Sequence, residues 1–196
     1  MKEVEGALPN TFTTRTAVRL GVHSRDLYAW RDDGRIVELS RGVFRRADAP
    51  VASYPDLLAV AHRSPNAVIC CVSAAAVHDL TDELPAAVHV AVPTRSRAPR
   101  IEYPPTTAFR FDEDTFELGL SQLEAAPGES VRIYSPTRTV VDLMRLRGRL
   151  GEPLAYSALQ RYLRSQLAKP GLLLDFAGRL DVYGPVRRAL DIASAG

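Results

Sequence analysis

A chain of 196 residues with 46% hydrophobic and 24% charged side chains has the composition of a folded protein rather than of a disordered one. No run of about 18 apolar residues occurs, and MKEVEGALPN lacks the apolar core of a secretory leader, so a cytoplasmic chain without membrane attachment is expected. The net charge of +2 conceals an asymmetry: residues 1–46 hold nine basic and six acidic side chains, residues 47–196 hold 16 and 17. A basic excess gathered in the first quarter suggests a nucleic-acid module joined to something else.

In chain order, Thr13 or Thr14 can cap a short helix reaching Leu20, with Ala17 and Leu20 on one face. Gly21 stops it, because glycine takes left-handed backbone angles without steric cost. Ser24 then caps a second helix to about Asp32, with Leu27 and Trp30 inward. That leaves Arg25, Tyr28, Ala29 and Arg31 outward, as in the recognition helix of a helix–turn–helix. Ile36–Leu39 and Val43–Arg46 read as strands around a Ser40-Arg41-Gly42 turn. A hairpin directly after a recognition helix makes a winged helix, with Arg41, Arg45 and Arg46 expected to meet phosphate.

Asp48–Ser53 reads as a linker, dividing a DNA-binding domain at 1–47 from a larger one at 54–196. Tyr54–Arg63 reads as a helix with Pro55 at its first position and Leu57, Val60 and Ala61 on one face. Ala67–Val72 reads as a buried strand, followed by a helix, Ala74–Leu80, capped by Ser73. Ala87–Val92, Ala108–Phe111 and Val131–Tyr134 read as further strands. Ser135-Pro136 opens a helix over Thr137–Arg147 with Val140, Val141 and Met144 inward, and three apolar helical stretches follow at 154–163, 172–180 and 185–192. The expected fold class is α/β (α+β): a winged helix-turn-helix and a mixed sheet covered by helices.

Little in the larger domain suggests chemistry. His23, His62, His78 and His89 lack ligand spacing, and adjacent Cys70 and Cys71 suit buried thiols better than a disulfide or a metal pair. There is no Walker or kinase glycine loop and no nucleophile elbow, so no cofactor, metal or catalytic residue is expected. Asp112, Glu113, Asp114 and Glu117 could hold Mg²⁺ but read more simply as a solvated loop. Arg138 and Asp142 suit an i, i+4 ion pair. Arg95, Arg97 and Arg100 form a basic loop that could face a partner.

Three runs in order, FTTRTAVRLGVHSRDLYAWRDDGRIVELSRGVFRRAD, VICCVSAAAVHDLTDELPAAVHVAV and VRIYSPTRTVVDLMR, resemble the AbiEi-type antitoxins of bacterial AbiE toxin–antitoxin systems. The resemblance implies a winged helix joined to an α/β antitoxin domain. It further implies repression of the protein's own operon through inverted repeats, with self-association on DNA. It also implies neutralisation of a nucleotidyltransferase-like toxin. Carried over by position, the DNA-facing residues would be Thr14, Arg15, Ser24, Arg25, Tyr28, Arg31, Arg41, Arg45 and Arg46. Only about ten residues precede the helix–turn–helix, so its usual first helix is expected to be short and the module to lean on the larger domain. A binding antitoxin without turnover is the expected function; an enzyme promoting phosphorylation of the toxin, or a stand-alone regulator, are the alternatives.

Overall fold

The computed structural model describes residues 7–194, and they form a mixed α+β fold with two sheets and ten helices. The chain divides into two compact units. One gathers residues 1–66, 99–106 and 123–131; the other gathers 67–98, 107–122 and 132–196. The boundary expected at residues 48–53 does not coincide with this division. Within the first unit, Tyr54 donates its backbone N–H to the Ala125 carbonyl and Arg45 pairs with Glu129, so segments distant in sequence complete it.

The first unit starts with strand β1 (Thr11–Thr13), which the sequence reading missed. Helices α1 (Thr14–Arg19) and α2 (Ser24–Asp32) follow, then strands β2 (Ile36–Ser40) and β3 (Val43–Arg46). The three strands form an antiparallel sheet in the order β1-β3-β2, with Phe12 opposite Phe44. The wing is therefore a three-stranded sheet with β3 at its centre. The expected helix ahead of Thr11 lies partly outside the described residues; residues 7–10 carry no helix and lead straight into β1. Leu8, Phe12, Ala17, Val22, Leu27, Trp30, Ile36 and Phe44 form one apolar cluster under both helices and the sheet. Helix α3 (Pro55–Arg63) has Pro55 at its start, where a missing N–H costs nothing, and packs against all three strands.

Local chemistry explains the helix ends. Thr13 caps α1, its hydroxyl accepting from the Thr16 N–H at 3.2 Å. Gly21 reverses the chain at φ +89°, and Val22 donates back to the Ala17 carbonyl at 3.0 Å. That reversal turns Val22 inward and leaves Leu20 exposed, against the expectation that Leu20 shares the face of Ala17. In α2 the extended cap residue is His23, without a side-chain bond, so Ser24 is the first helical residue and not the cap.

In the second unit the predicted strand at 67–72 is cut to β4 (Val68–Ile69). Cys70 is the extended cap of helix α4 (Cys71–Val77), and Ser73 accepts from the His89 N–H at 2.9 Å instead of capping. Strands β5 (Val88–Pro93) and β6 (Thr106–Phe111) match their expected places; helix α5 (Glu113–Phe116) and strand β7 (Leu120–Ala126) were not foreseen. Strand β8 (Glu129–Tyr134) follows the Pro127-Gly128 turn. The sheet order is β6-β5-β4-β8-β7, with β4 antiparallel to β5 and parallel to β8, hence mixed. Helices α6 (Pro136–Arg145), α7 (Arg147–Leu150), α8 (Glu152–Arg164), α9 (Pro170–Arg179) and α10 (Tyr183–Ser194) complete the chain. Ser135 caps α6 through the Arg138 N–H, and α6 packs against α4, α8, α9 and α10.

The centre of this unit is charged. Arg138 and Asp142 are fully buried and bonded at 2.9 Å, and Arg145 donates to the other Asp142 oxygen at 2.9 Å. Arg138 also donates to the carbonyls of Thr115 and Leu118 and lies over the Tyr134 ring at 4.5 Å. Gly119 passes so close that a Cβ there would sit 2.6 Å from Arg138 Cβ, which explains a glycine at φ +71°. Burial pushes the Asp142 carboxyl up, while the two guanidiniums pull it down.

Asp142→Asn should cost about 3–5 kcal/mol in urea unfolding, because it strands the Arg138 charge without a counter-charge. A loss below about 1 kcal/mol would mean that the carboxylate is dispensable. Burial also holds the His78 and His89 imidazoles below their ordinary value. The unfolded chain then binds more protons than the folded one as pH falls through about 6.5. Stability should fall from about pH 7.5 to 5.5 and flatten below the folded values. Urea midpoints across that range check this, and midpoints that rise on acidification would refute it.

Candidate nucleic-acid interface

Helix α2 and the wing are held to each other by one carboxylate. Glu38, on β2, accepts from Arg31 Nη1 of α2 at 3.1 Å and from the Gly42 N–H of the wing turn at 3.1 Å. The same turn is bonded to the start of α1, whose Thr14 N–H donates to the Gly42 carbonyl at 2.9 Å and whose Thr14 hydroxyl donates to it at 3.4 Å. Arg31 also bonds Asp32, and its guanidinium lies 5.1 Å from the Tyr28 ring centre. Tyr28 in turn meets the buried Phe44 edge-on at 6.5 Å. Thr14, Tyr28 and Arg31 thus belong to the joint between helices and wing, while the Tyr28 side keeps 49% exposure.

The remaining outward residues are separable from that joint. Arg25 is 87% exposed at its side chain and pairs with its neighbour Asp26 at 3.3 Å. Arg15 and Ser24 are exposed, as is Arg41 in the wing turn. Leu27 and Trp30 are buried as expected, so Arg25, Tyr28 and Ala29 are the outward face of α2.

Two residues expected at phosphate are placed otherwise. Arg45 is 7% exposed; its Nη1 bonds the Thr11 hydroxyl and Glu129, each at 2.5 Å, and its Nη2 bonds the Pro50 carbonyl. Arg46 is bonded to Asp48 at 2.8 and 2.6 Å and to the Leu8 carbonyl. The Arg46 guanidinium holds the Asp48 carboxyl below its usual range. Adjacent residues of a strand point to opposite faces, so the pair could not have met one phosphate together. Arg45 is thus a buried structural tie, against the expectation of a phosphate contact, and Arg46 is paired within its own module.

Outside the winged helix the expected acidic cluster is dispersed into local roles. Asp112 caps α5, Glu113 pairs with Arg95, and Glu117 pairs with Arg132. Among the described residues no group of three or more His, Cys, Asp or Glu is placed to hold a metal ion. Arg95 and Arg97 are exposed in the second unit, and Arg100 is exposed in the first. The sequence reading missed Glu38 and the exposed Arg63 at the end of α3. Glu38 had a signal: it is the lone acid in the predicted hairpin of a basic module.

Residues 2–47 match a family described as transcriptional regulator, AbiEi antitoxin. That match is confined to the N-terminal module, and the family's description joins a regulatory and an antitoxin role. The fold of the whole is similar to the crystal structure of the RV2827C protein from Mycobacterium tuberculosis. The TM-score is 0.66 at 14% identity, over 98% of this chain and 75% of that one. No curated protein matches the sequence. Among the described residues no helix is long and apolar enough to cross a membrane.

Arg45→Met should therefore act on stability and not on DNA. It leaves Glu129 without its ion-pair partner and should cost about 3 kcal/mol in chemical denaturation. The slope of log DNA affinity against log salt should stay as in the wild type, whereas a lost phosphate contact would lower it by about 0.9. A shallower slope with unchanged stability would return Arg45 to the interface.

Proposed function

We propose that this chain is a DNA-binding antitoxin. It represses its own operon by placing α2 in the major groove of operator inverted repeats and the wing turn on the flanking backbone. It also neutralises a cognate nucleotidyltransferase-like toxin without turnover. The observation that carries the DNA half is the fixed geometry around Glu38, which leaves Arg25 and Tyr28 outward on α2 and Arg41 outward on the wing. A guanidinium near a recognition-helix N-terminus suits guanine O6 and N7, and a guanidinium on a turn suits phosphate. The family's description supports the pairing of regulator and antitoxin roles. Assignment of the toxin-binding role to the second unit follows from the winged helix being committed to DNA. Self-association on inverted repeats follows from a monomer covering one half-site.

Arg25→Ala and Tyr28→Ala should each lower affinity for the chain's own promoter DNA, while binding to random DNA persists. For a bidentate Arg–guanine contact the loss is about 1–3 kcal/mol, or roughly 5- to 150-fold. Gel-shift titrations on both DNAs read this, and unchanged promoter affinity in both variants would sink the assignment. On the toxin side, co-expression with the toxin encoded beside this chain should relieve growth arrest and leave the intact toxin mass unchanged. A mass increase that requires this protein would replace neutralisation by binding with enzymatic modification.

A further inference from the structure

The winged-helix unit contains a cavity that the recognition helix does not use. It measures about 150 Å³ and is walled by the wing turn, the end of α3 and the loop 100–103, with Ser40, Arg41, Arg63, Arg100, Glu102 and Tyr103 in its lining. One water needs roughly 10–15 Å³ on such a measure, so a tetrahedral oxyanion with accompanying waters fits. The walls are tied together. Ser40 Oγ donates to the Tyr103 carbonyl at 2.6 Å, and Arg63 Nη1 donates to the Arg41 carbonyl at 3.2 Å. Ile101, also in the lining, is buried and anchors the loop.

Three exposed arginines line this space with one exposed acidic residue, Glu102. Among the described residues none of Arg41, Arg63 and Arg100 has an ion-pair partner, whereas Arg25, Arg31, Arg45 and Arg46 each have at least one. Gathered cations without counter-ions repel one another, and a planar guanidinium fork matches phosphate oxygens. Tyr103, 65% exposed, adds a phenolic donor. We propose that Arg41, Arg63 and Arg100 form a phosphate-binding pocket behind the wing, filled by a backbone phosphate of bound duplex. The source of that phosphate rests on the DNA-binding reading above; the chemistry of the pocket does not. Arg41 then serves both the wing tip and the pocket. Arg63 and Arg100 extend the footprint beyond the helix–turn–helix, through a helix and a loop that lie outside its sequence.

The test compares the full-length chain with Arg63→Ala/Arg100→Ala and with Arg63→Lys/Arg100→Lys, in two arms. Both side chains are exposed, and far-UV circular dichroism confirms folding. In the first arm, salt titration on random duplex should show a slope shallower by about two units in the double Ala variant and largely restored in the double Lys variant. In the second, line broadening of inorganic phosphate in phosphorus NMR should appear with wild type and vanish with the double Ala variant. Phosphate binding with an unchanged slope would keep the pocket and assign it to a free phosphate. A shallower slope without broadening would assign it to the duplex alone. Equal behaviour of wild type and double Ala variant in both arms would overturn the inference. A wild type that binds no duplex would overturn the proposed DNA function, and the phosphate arm would still decide the pocket.

Discussion

Arg138 carries a charge that water does not reach, and the second unit is arranged to keep that charge paired. Its counter-charge, Asp142, is itself fully buried and shared with Arg145. Two carbonyls of the α5 region take further donors, and aromatic rings of Tyr134 and Phe111 cover the guanidinium faces. Such a network is costly to leave half made, so every element touching it is constrained in position. Gly119 has no room for a side chain, Ser135 must cap α6 so that Arg138 starts its turn correctly, and Tyr134 donates its hydroxyl to the Phe116 carbonyl. The run Ser135-Pro136-Thr137-Arg138 through Asp142 is in this sense an architectural signature.

The first unit uses charge differently. Its core is the apolar cluster around Phe12, Leu27, Trp30 and Phe44, and ion pairs, the largely buried Arg45–Glu129 pair among them, link separate elements. Glu38 is the clearest case, since one carboxylate fixes both α2 and the wing turn. A prearranged helix and wing lose less conformational entropy on binding than a loose hairpin would. Arg45 does comparable work on the opposite face of β3, where it joins the sheet to Glu129.

The elements most readable from sequence were those with strong local chemistry. Pro55 and Pro136 at helix starts, Gly21 past a helix end, and the inward Leu27 and Trp30 all stand where spacing and capping put them. Two of the misplacements share a cause, a partner distant in sequence. Arg45 reads as a surface cation until Glu129 and Pro50 are brought to it. Ser73 reads as a cap until the His89 N–H claims its hydroxyl. Strand β7, with the sequence Leu-Ser-Gln-Leu-Glu-Ala-Ala, has neither clean alternation nor β-branched residues, and only the Pro127-Gly128 turn before β8 hints at it. The outward placement of Arg25, Tyr28 and Arg41 was legible, because it follows from helix spacing around Leu27 and Trp30 and from the hairpin turn. Arg63 was not, because its relation to the wing turn spans 22 residues of chain.

The first unit is assembled from three stretches of sequence, the last ending at residue 131. Synthesis proceeds at about 5–20 residues per second, so the roughly 65 residues between positions 66 and 131 take about 3–13 s to appear. During that interval a ribosome-bound chain carries the helix–turn–helix and the wing but lacks Glu129, and Arg45 is left with a buried charge to satisfy. The first unit is therefore completed late, after much of the second unit's sheet has been made. A message cut short within that window yields a basic, unfinished module in place of a working one.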